Sequence, residues 1–305
     1  MKPYALQKGD RIGVVAPASP CPPAQWKRAC QFFRWLGYEI KLGQSVSQKW
    51  GYFAGSDQLR AQDLNHMFAD PTIKAIVCLR GGYGVTRILP YLDYNQLKKQ
   101  PKILIGYSDL TALHLAIQKK VGLTTFHGPM FAEFGNDLHY LSGWFLFTLC
   151  TQPFSTFRYP TPLDAYTLTE GEATGKLIGG NLSLLTASLG TFYELDCNEK
   201  ILFIEEVDEA PYRIDRMLTQ LAHAGKLQTA RGIIFASFTN CKPKEGADSL
   251  TLKQIFAERI GSLGIPAYYG FYAGHCSPNL TLPIGGMVKM NASNRWLELL
   301  EANVK

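Results

Sequence analysis

Apolar residues in the first half of the chain gather in short, nearly unbroken runs, and the segments between them place apolar residues three and four positions apart. RIGVVAP (11–17), YEIKLG (38–43), AIVCLR (75–80) and KILIGYS (102–108) have strand length and strand composition. PPAQWKRACQFFRWLG (22–37) and SDQLRAQDLNHMFAD (56–70) have the spacing of amphipathic helices. This alternation predicts βαβ units, and strands that are apolar on both faces predict a parallel sheet covered on both sides. From 151 to 175 the periodicity lapses into TQPFSTFRYPTPLDAYTLTEGEATG, whose Thr, Pro and Gly content predicts a linker. Beyond it, GKLIGGNLSLLTASLG leads to a strand ILFIEEV (201–207) and a helix PYRIDRMLTQLAHAG with Ile214, Met217, Leu218 and Leu221 on one face. RGIIFASF, LTLKQIFAERIGSLG, IPAYYGFYAGH and two closing strands near 286–301 complete the pattern. The expected protein is α/β: an N-terminal parallel-sheet domain over 1–150, a linker over 151–175, and a C-terminal α/β domain with a mixed sheet over 176–305.

Length agrees, since 305 residues with 46% hydrophobic content suffice for two ordinary cores. The 31 basic and 25 acidic residues leave a net charge of +6, with no block of basic residues. Lys98, Lys99 and Lys102, like Lys119 and Lys120, fall at predicted element ends. Nucleic acid is not an expected partner, because the basic stripe interleaved with aromatics is missing. A membrane is not expected either: Lys8, Gly9, Asp10 and Arg11 interrupt any export-signal core, and no run approaches the roughly 18 apolar residues of a spanning helix. Seven cysteines, odd in number and without a CxxC pair, predict free thiols in a reducing compartment and no zinc cluster. The expected location is therefore the cytoplasm, with no metal or other cofactor.

Candidate chemistry centres on ILIGYSDLTALHLAI, where a strand runs through Gly106 and Tyr107 to Ser108 and turns at once into a helix. A serine on such an elbow is lifted above the sheet edge, and the N–H of the next residue, Asp109, can face a developing oxyanion. Leu110 stands where the usual motif has its second glycine, and Ser108 or Asp109 as an ordinary helix cap is the competing reading. A second turn, Arg80-Gly81-Gly82-Tyr83-Gly84, follows another strand and offers further N–H donors. It lacks the GxGxxG spacing of a dinucleotide site and the lysine of a P-loop.

A serine needs a base, and the base needs an orienting group. Of six histidines, His114 lies six residues after Ser108 on the same helix and so points elsewhere. His66, His139 and His223 sit in helical patterns without special context. His127 and His275 each follow an apolar strand and precede a proline, and the residues alone leave both open. For the acid, Glu205 and Glu206 close a buried strand, where a carboxylate is costly without a partner. Asp208 and Glu209 read instead as complements to the following helix N-terminus.

VVAPAS, LRGGYG, IGYSDLTAL, TFHGPM, GGNLSLL, ILFIEEVDEAPYRIDRML and the late Gly274-His275 occur in this order along nearly the whole chain. Together they resemble the LD-carboxypeptidases, the muramoyltetrapeptide carboxypeptidases, with microcin C self-immunity peptidases as relatives. The resemblance implies a Ser-Glu-His triad at Ser108, Glu205 and His275, formed where the two domains meet. On this reading the oxyanion donors are the backbone N–H groups of Asp109, Gly81 and Gly82, the candidate substrate contacts are Tyr83, Arg80, Asn181 and Arg213, and Arg80, Arg87 or Arg213 could pair with the substrate's terminal carboxylate. The implied reaction is removal of the terminal D-alanine from the L,D bond of a murein tetrapeptide, in peptidoglycan recycling. Cleavage of an aminoacyl-nucleotide antibiotic by the same triad is the alternative within the family, and a muropeptide binder without turnover the alternative outside it. A second copy of the chain is the one macromolecular partner this reading admits. Cys276, directly after His275, is a further thiol to place.

Overall fold

Residues 1–136, 138–153 and 156–305 are described by the computed structural model of the chain. The strands in chain order are β1 (Arg11–Val15), β2 (Glu39–Leu42), β3 (Ile73–Cys78), β4 (Ile103–Gly106), β5 (Thr125–His127), β6 (Phe157–Arg158), β7 (Tyr166–Thr169), β8 (Glu172–Asn181), β9 (Lys200–Val207), β10 (Gly232–Thr239), β11 (Ala267–Tyr269), β12 (Leu282–Ile284), β13 (Met287–Asn291) and β14 (Trp296–Leu299). The α-helices are α1 (Pro23–Trp35), α2 (Asp57–Ala69), α3 (Val85–Ile88), α4 (Tyr94–Lys99), α5 (Thr111–Lys120), α6 (Tyr140–Thr151), α7 (Leu182–Ala187), α8 (Pro211–His223) and α9 (Leu252–Ile260).

Two units result. The first comprises Met1–Phe154, Ser277–Ile284 and Ala302–Lys305, and the second Ser155–Cys276 with Gly285–Glu301. In the first, the sheet order is β12-β5-β4-β3-β1-β2. β1 to β5 are parallel, and β12 pairs antiparallel with β5 at the edge. Central strands are buried almost throughout, as in β3, where Lys74 is the exception. That burial on both faces is why their sequences read as continuous apolar runs. In the second unit the order is β6-β14-β13-β8-β9-β10-β11-β7. Here β8 to β11 are parallel and the flanking strands antiparallel, the mixed sheet that was expected.

The chain path departs from the sequence reading in two places. The stretch 151–175 holds β6, β7 and the start of β8, while its residues 154 and 155 lie outside those described. β7 is half-buried along its length, so its Tyr-Thr-Leu-Thr carries strand-forming residues without apolar alternation. Nor does 176–305 form one unbroken domain. β12 crosses to the first sheet, with Leu282 opposite His127 and Ile284 opposite Thr125. Its Pro283 suits an edge strand, where a missing N–H leaves no ladder bond broken.

Both sheets present the carboxyl ends of adjacent parallel strands, the edge at which ligands bind in open α/β sheets. In the second unit β10 hydrogen-bonds to β9 and packs on α9 through Phe235, whose ring stacks on Phe256 at 4.0 Å between centroids. Both rings are fully buried. Phe235→Ala is expected to destabilise that unit by about 3–5 kcal/mol, as large-to-small changes in sealed cores do. Denaturant unfolding checks this, and a loss below about 1 kcal/mol would show that the stack is not a structural support.

Candidate active site

Ser108 is the first residue of a single 3-10 turn (Ser108–Leu110) between β4 and α5, and its backbone lies in the left-handed region at φ 64°. A non-glycine residue there is strained and persists only where its surroundings enforce it. The capping position is Tyr107 for this turn and Leu110 for α5, not Ser108 or Asp109, and neither makes a side-chain cap bond. The cap reading therefore loses its support, and the elbow reading gains a backbone observation.

The glycine-rich turn closes against this elbow. A Cβ at Gly81 would sit 2.8 Å from the Ser108 Cβ and 3.0 Å from its Oγ, so only glycine lets the two turns meet. The same point is 3.6 Å from the Asp109 backbone nitrogen. The glycine turn and the Asp109 backbone nitrogen thus both lie close to the Ser108 side chain.

Asp109 contributes more than its backbone. Its carboxylate, 1% exposed, accepts the Val85 N–H at 2.8 Å, with a further bond from the Gly84 N–H. The carbonyl of Gly84 in turn accepts from Nη1 of Arg60 at 2.9 Å, and Arg60 is fully buried with Asp57 as its ion partner. One carboxylate therefore ties the elbow to the glycine turn. The sequence offers Asp109 as an N–H donor or as a cap of the helix that follows it, and nothing in it points to the glycine turn as the partner of the carboxylate.

His114, on α5, supports the same elbow. Fully buried, it lies 2.8 Å by Nε2 from the Gly106 carbonyl and 2.8 Å by Nδ1 from the Thr125 hydroxyl. Burial pulls its pKa down to about 4, so the ring is neutral. The carbonyl can only accept, so Nε2–H donates and Nδ1 accepts from Thr125. His127 is equally enclosed, its ring 5.8 Å from Tyr107 and 6.3 Å from His114.

In the second unit, β9 delivers Glu205 and Glu206 to opposite faces. Glu205 is fully buried, and its Oε2 lies 2.8 Å from Nδ1 of the half-buried His275. Gly274, at φ 98°, makes this approach possible, because a Cβ there would stand 2.6 Å from Cγ of Glu205. The His275 loop is held by Ser237, donating to the Ala273 carbonyl at 2.6 Å, and by Thr239, donating to the His275 carbonyl.

Glu206 serves the scaffold. Its Oε1 accepts from Asn181 Nδ2 at 2.8 Å and from Val207 N–H at 2.9 Å, while Oε2 accepts from Ser183 N–H and Oγ at 2.8 and 2.7 Å. Even so, burial leaves its pKa raised. Asn181 is thereby engaged, and its Oδ1 also caps α7 through Leu184 N–H. Arg213 is exposed, bonded to the Tyr212 hydroxyl at 3.1 Å and Glu209 at 3.4 Å, so Glu209 answers a side chain as well as a helix end. Arg80 is exposed, with one long bond to the Pro20 carbonyl at 3.3 Å. Tyr83 is half-exposed beside the glycine turn. Burial pushes the Cys276 thiol up to about 11, which keeps it protonated near neutrality and unsuited to attack.

Two family profiles match this chain: the LD-carboxypeptidase N-terminal domain over residues 12–128 and the LD-carboxypeptidase C-terminal domain over residues 174–290. The chain belongs to the LD-carboxypeptidase family. It is a serine-type carboxypeptidase, a hydrolase. Among its relatives, the probable murein peptide carboxypeptidase of Bacillus subtilis is 46% identical over 99% of this chain and 95% of its own. The muramoyltetrapeptide carboxypeptidase of Oxalobacter formigenes shares the fold at a TM-score of 0.86 and 28% identity, over 96% and 99% of the two chains. MccF, the microcin C7 self-immunity protein, solved with glutamyl sulfamoyl guanosine, is similar at a TM-score of 0.92 and 26% identity, over 100% and 99%. Among the described residues no helix is long and apolar enough to cross a membrane.

Burial raises the Asp109 carboxyl to about 6, against the hydrogen bonds and the Arg60 charge that lower it. The unfolded value is about 3.9, so its stabilising contribution is present below about pH 4 and is lost as pH rises towards 6. Asp109→Asn cannot ionise. The melting temperature of the variant minus that of the wild type should therefore rise between pH 4 and pH 7, as read by calorimetry. A difference that is flat or falls with pH would contradict the burial argument.

Proposed function

We propose that this carboxypeptidase hydrolyses the L,D bond between the diamino acid and the terminal D-alanine of a murein tetrapeptide, with Ser108 as nucleophile, His275 as base and Glu205 as its orienting acid. The observation that carries the proposal is the 2.8 Å contact between the buried Glu205 carboxylate and Nδ1 of His275. A carboxylate on Nδ1–H fixes the tautomer in which Nε2 carries the free lone pair, and it stabilises the imidazolium that forms.

Ser108 Oγ attacks the scissile carbonyl as its proton passes to Nε2 of His275. The oxyanion accepts from the Asp109 N–H and from the Gly81-Gly82 turn. Collapse expels the D-alanine amine, which takes the proton from His275, and water then releases the acyl group by the same route in reverse. The exposed Arg80 would pair with the substrate's terminal carboxylate, whereas Asn181 and Arg213, already engaged, would serve less directly. The reaction belongs to recycling of murein fragments in the cytoplasm. All seven cysteines are free thiols, which suits a reducing compartment. Likeness to MccF supports a second reading, cleavage of an aminoacyl sulfamoyl nucleotide by the same three residues.

Mass spectrometry of a murein tetrapeptide before and after incubation, with an aminoacyl sulfamoyl nucleotide in parallel, decides between the readings. Loss of one D-alanine supports the first, and cleavage of the nucleotide alone supports the second. On the tetrapeptide, Ser108→Ala should lose about 10⁴–10⁶ in kcat. Glu205→Gln should lose about three to four orders of magnitude, and Glu206→Gln at most about tenfold, with a lowered melting temperature because an amide NH₂ then faces backbone donors. The reverse ranking of the two glutamates would move the orienting acid to Glu206.

A further inference from the structure

The sheet edge that carries Ser108 also carries a cluster of rings, of which the family resemblance gives a role to Tyr83 alone. Trp50, Tyr52 and Tyr83 are 57%, 63% and 48% exposed, and all three surround Phe53, which is buried. The centroid of Phe53 lies 6.0 Å from that of Trp50, 4.4 Å from Tyr52 and 5.6 Å from Tyr83, while Tyr52 and Tyr83 are 5.9 Å apart. Beneath them the guanidinium groups of Arg60 and Arg87 stand 4.7 and 4.8 Å from the Phe53 ring. Single exposed aromatics are ordinary, but three that share one hub form a contiguous patch.

The support is ordered. Trp50 and Phe53 exchange backbone hydrogen bonds of 2.8 and 3.0 Å, Ala54 N–H bonds to the Ala18 carbonyl at 3.0 Å, and Tyr83 N–H to Ser19 Oγ at 3.3 Å. Rings held this way present contact area at little entropic cost on binding.

Topology fixes where the patch lies relative to the nucleophile. In the strand order β4-β3-β1-β2, the loops leaving the carboxyl ends carry, in turn, Ser108, the Gly81–Gly84 turn, Ser19 and the Trp50–Phe53 turn. Tyr83 follows by two residues the Gly81 that packs on Ser108, and from its ring the cluster runs 5.6 Å to Phe53 and a further 6.0 Å to Trp50, so the patch begins beside the elbow and extends on the order of 10 Å beyond Tyr83. A murein peptide is attached to an N-acetylated sugar through a lactyl group. From the scissile carbonyl, three extended residues and that group span roughly 10–14 Å at about 3.3–3.6 Å per residue.

We propose that Trp50 and Tyr52 form a stacking subsite for the N-acetylmuramic acid ring that a murein peptide carries, with Tyr83 alongside the peptide between the sugar and Ser108. The inference rests on the proposed murein-peptide reaction. The apolar C–H face of the sugar lies on the rings, and its hydroxyl groups stay in water.

The test compares kcat/KM for a free tetrapeptide and for the same tetrapeptide bearing N-acetylmuramic acid, in the wild type, Trp50→Ala, Trp50→Phe and Trp50→Ala/Tyr52→Ala. The wild type should favour the sugar-bearing substrate by about tenfold or more. The double variant should bring the ratio close to one by losing activity on that substrate, while Trp50→Phe should retain most of the preference. Three results would overturn the subsite: a wild-type ratio near one, equal losses on both substrates, or conversion of a dimer to a monomer by the double variant on size exclusion, which would assign the patch to a second copy of the chain. If the wild type cleaves neither substrate, it is the reaction that fails. The subsite is then read from binding of the same two compounds to Ser108→Ala protein, where the same preference is expected and its absence refutes the idea.

Discussion

A carboxylate at the end of a buried strand must be partnered, and β9 places two of them side by side. Glu206 meets the requirement with donors from the β8–α7 turn and from Val207. Glu205 faces the other way and meets it with the imidazole of His275. Much of the second unit serves that contact: Gly274 leaves room for the carboxylate, Ser237 and Thr239 hold the histidine loop, and stacked aromatics brace β10 behind β9. Removing His275 would strand the fully buried Glu205 carboxylate, at a cost of several kcal/mol if it stays charged. The pair is accordingly a fixed feature of the fold before any substrate arrives.

The first unit solves a complementary problem, holding a hydroxyl in a strained backbone position at a sheet edge. Gly81 permits the glycine turn to approach Ser108, and the Asp109 carboxylate binds the far end of that turn. His114 anchors Gly106 from below, and its depressed pKa makes it a neutral strut instead of a base. Strain at Ser108 is sustained by these contacts, and the N–H groups they fix include those proposed to receive the oxyanion.

How much of this was legible follows from the kind of interaction involved. Central parallel strands announce themselves, because burial on both faces forces unbroken apolar runs such as AIVC in β3. β7, half-buried throughout, leaves no such trace, and β12 takes its meaning from a partner strand distant in sequence. The elbow at Ser108 was visible as a strand running straight into a helix. Strand alternation showed that Glu205 and Glu206 face apart, but not which of them meets a histidine, and only resemblance pointed to His275. The Asp109 side chain was legible only as a cap for the helix that follows it, because its actual bonds go to backbone N–H groups of Gly84 and Val85, which no motif records.

The central proposal is that Ser108 is the nucleophile and that His275, oriented by Glu205, is its base. The most direct measurement is proton NMR of the low-field His275 Nδ1–H resonance, identified by its loss in Glu205→Gln. It is recorded before and after Ser108 is phosphonylated by a serine-directed inhibitor. The account expects the resonance to shift and its pH titration to move upward, since an anionic tetrahedral group on Ser108 would stabilise the imidazolium. A resonance and titration unchanged by modification of Ser108 would contradict it.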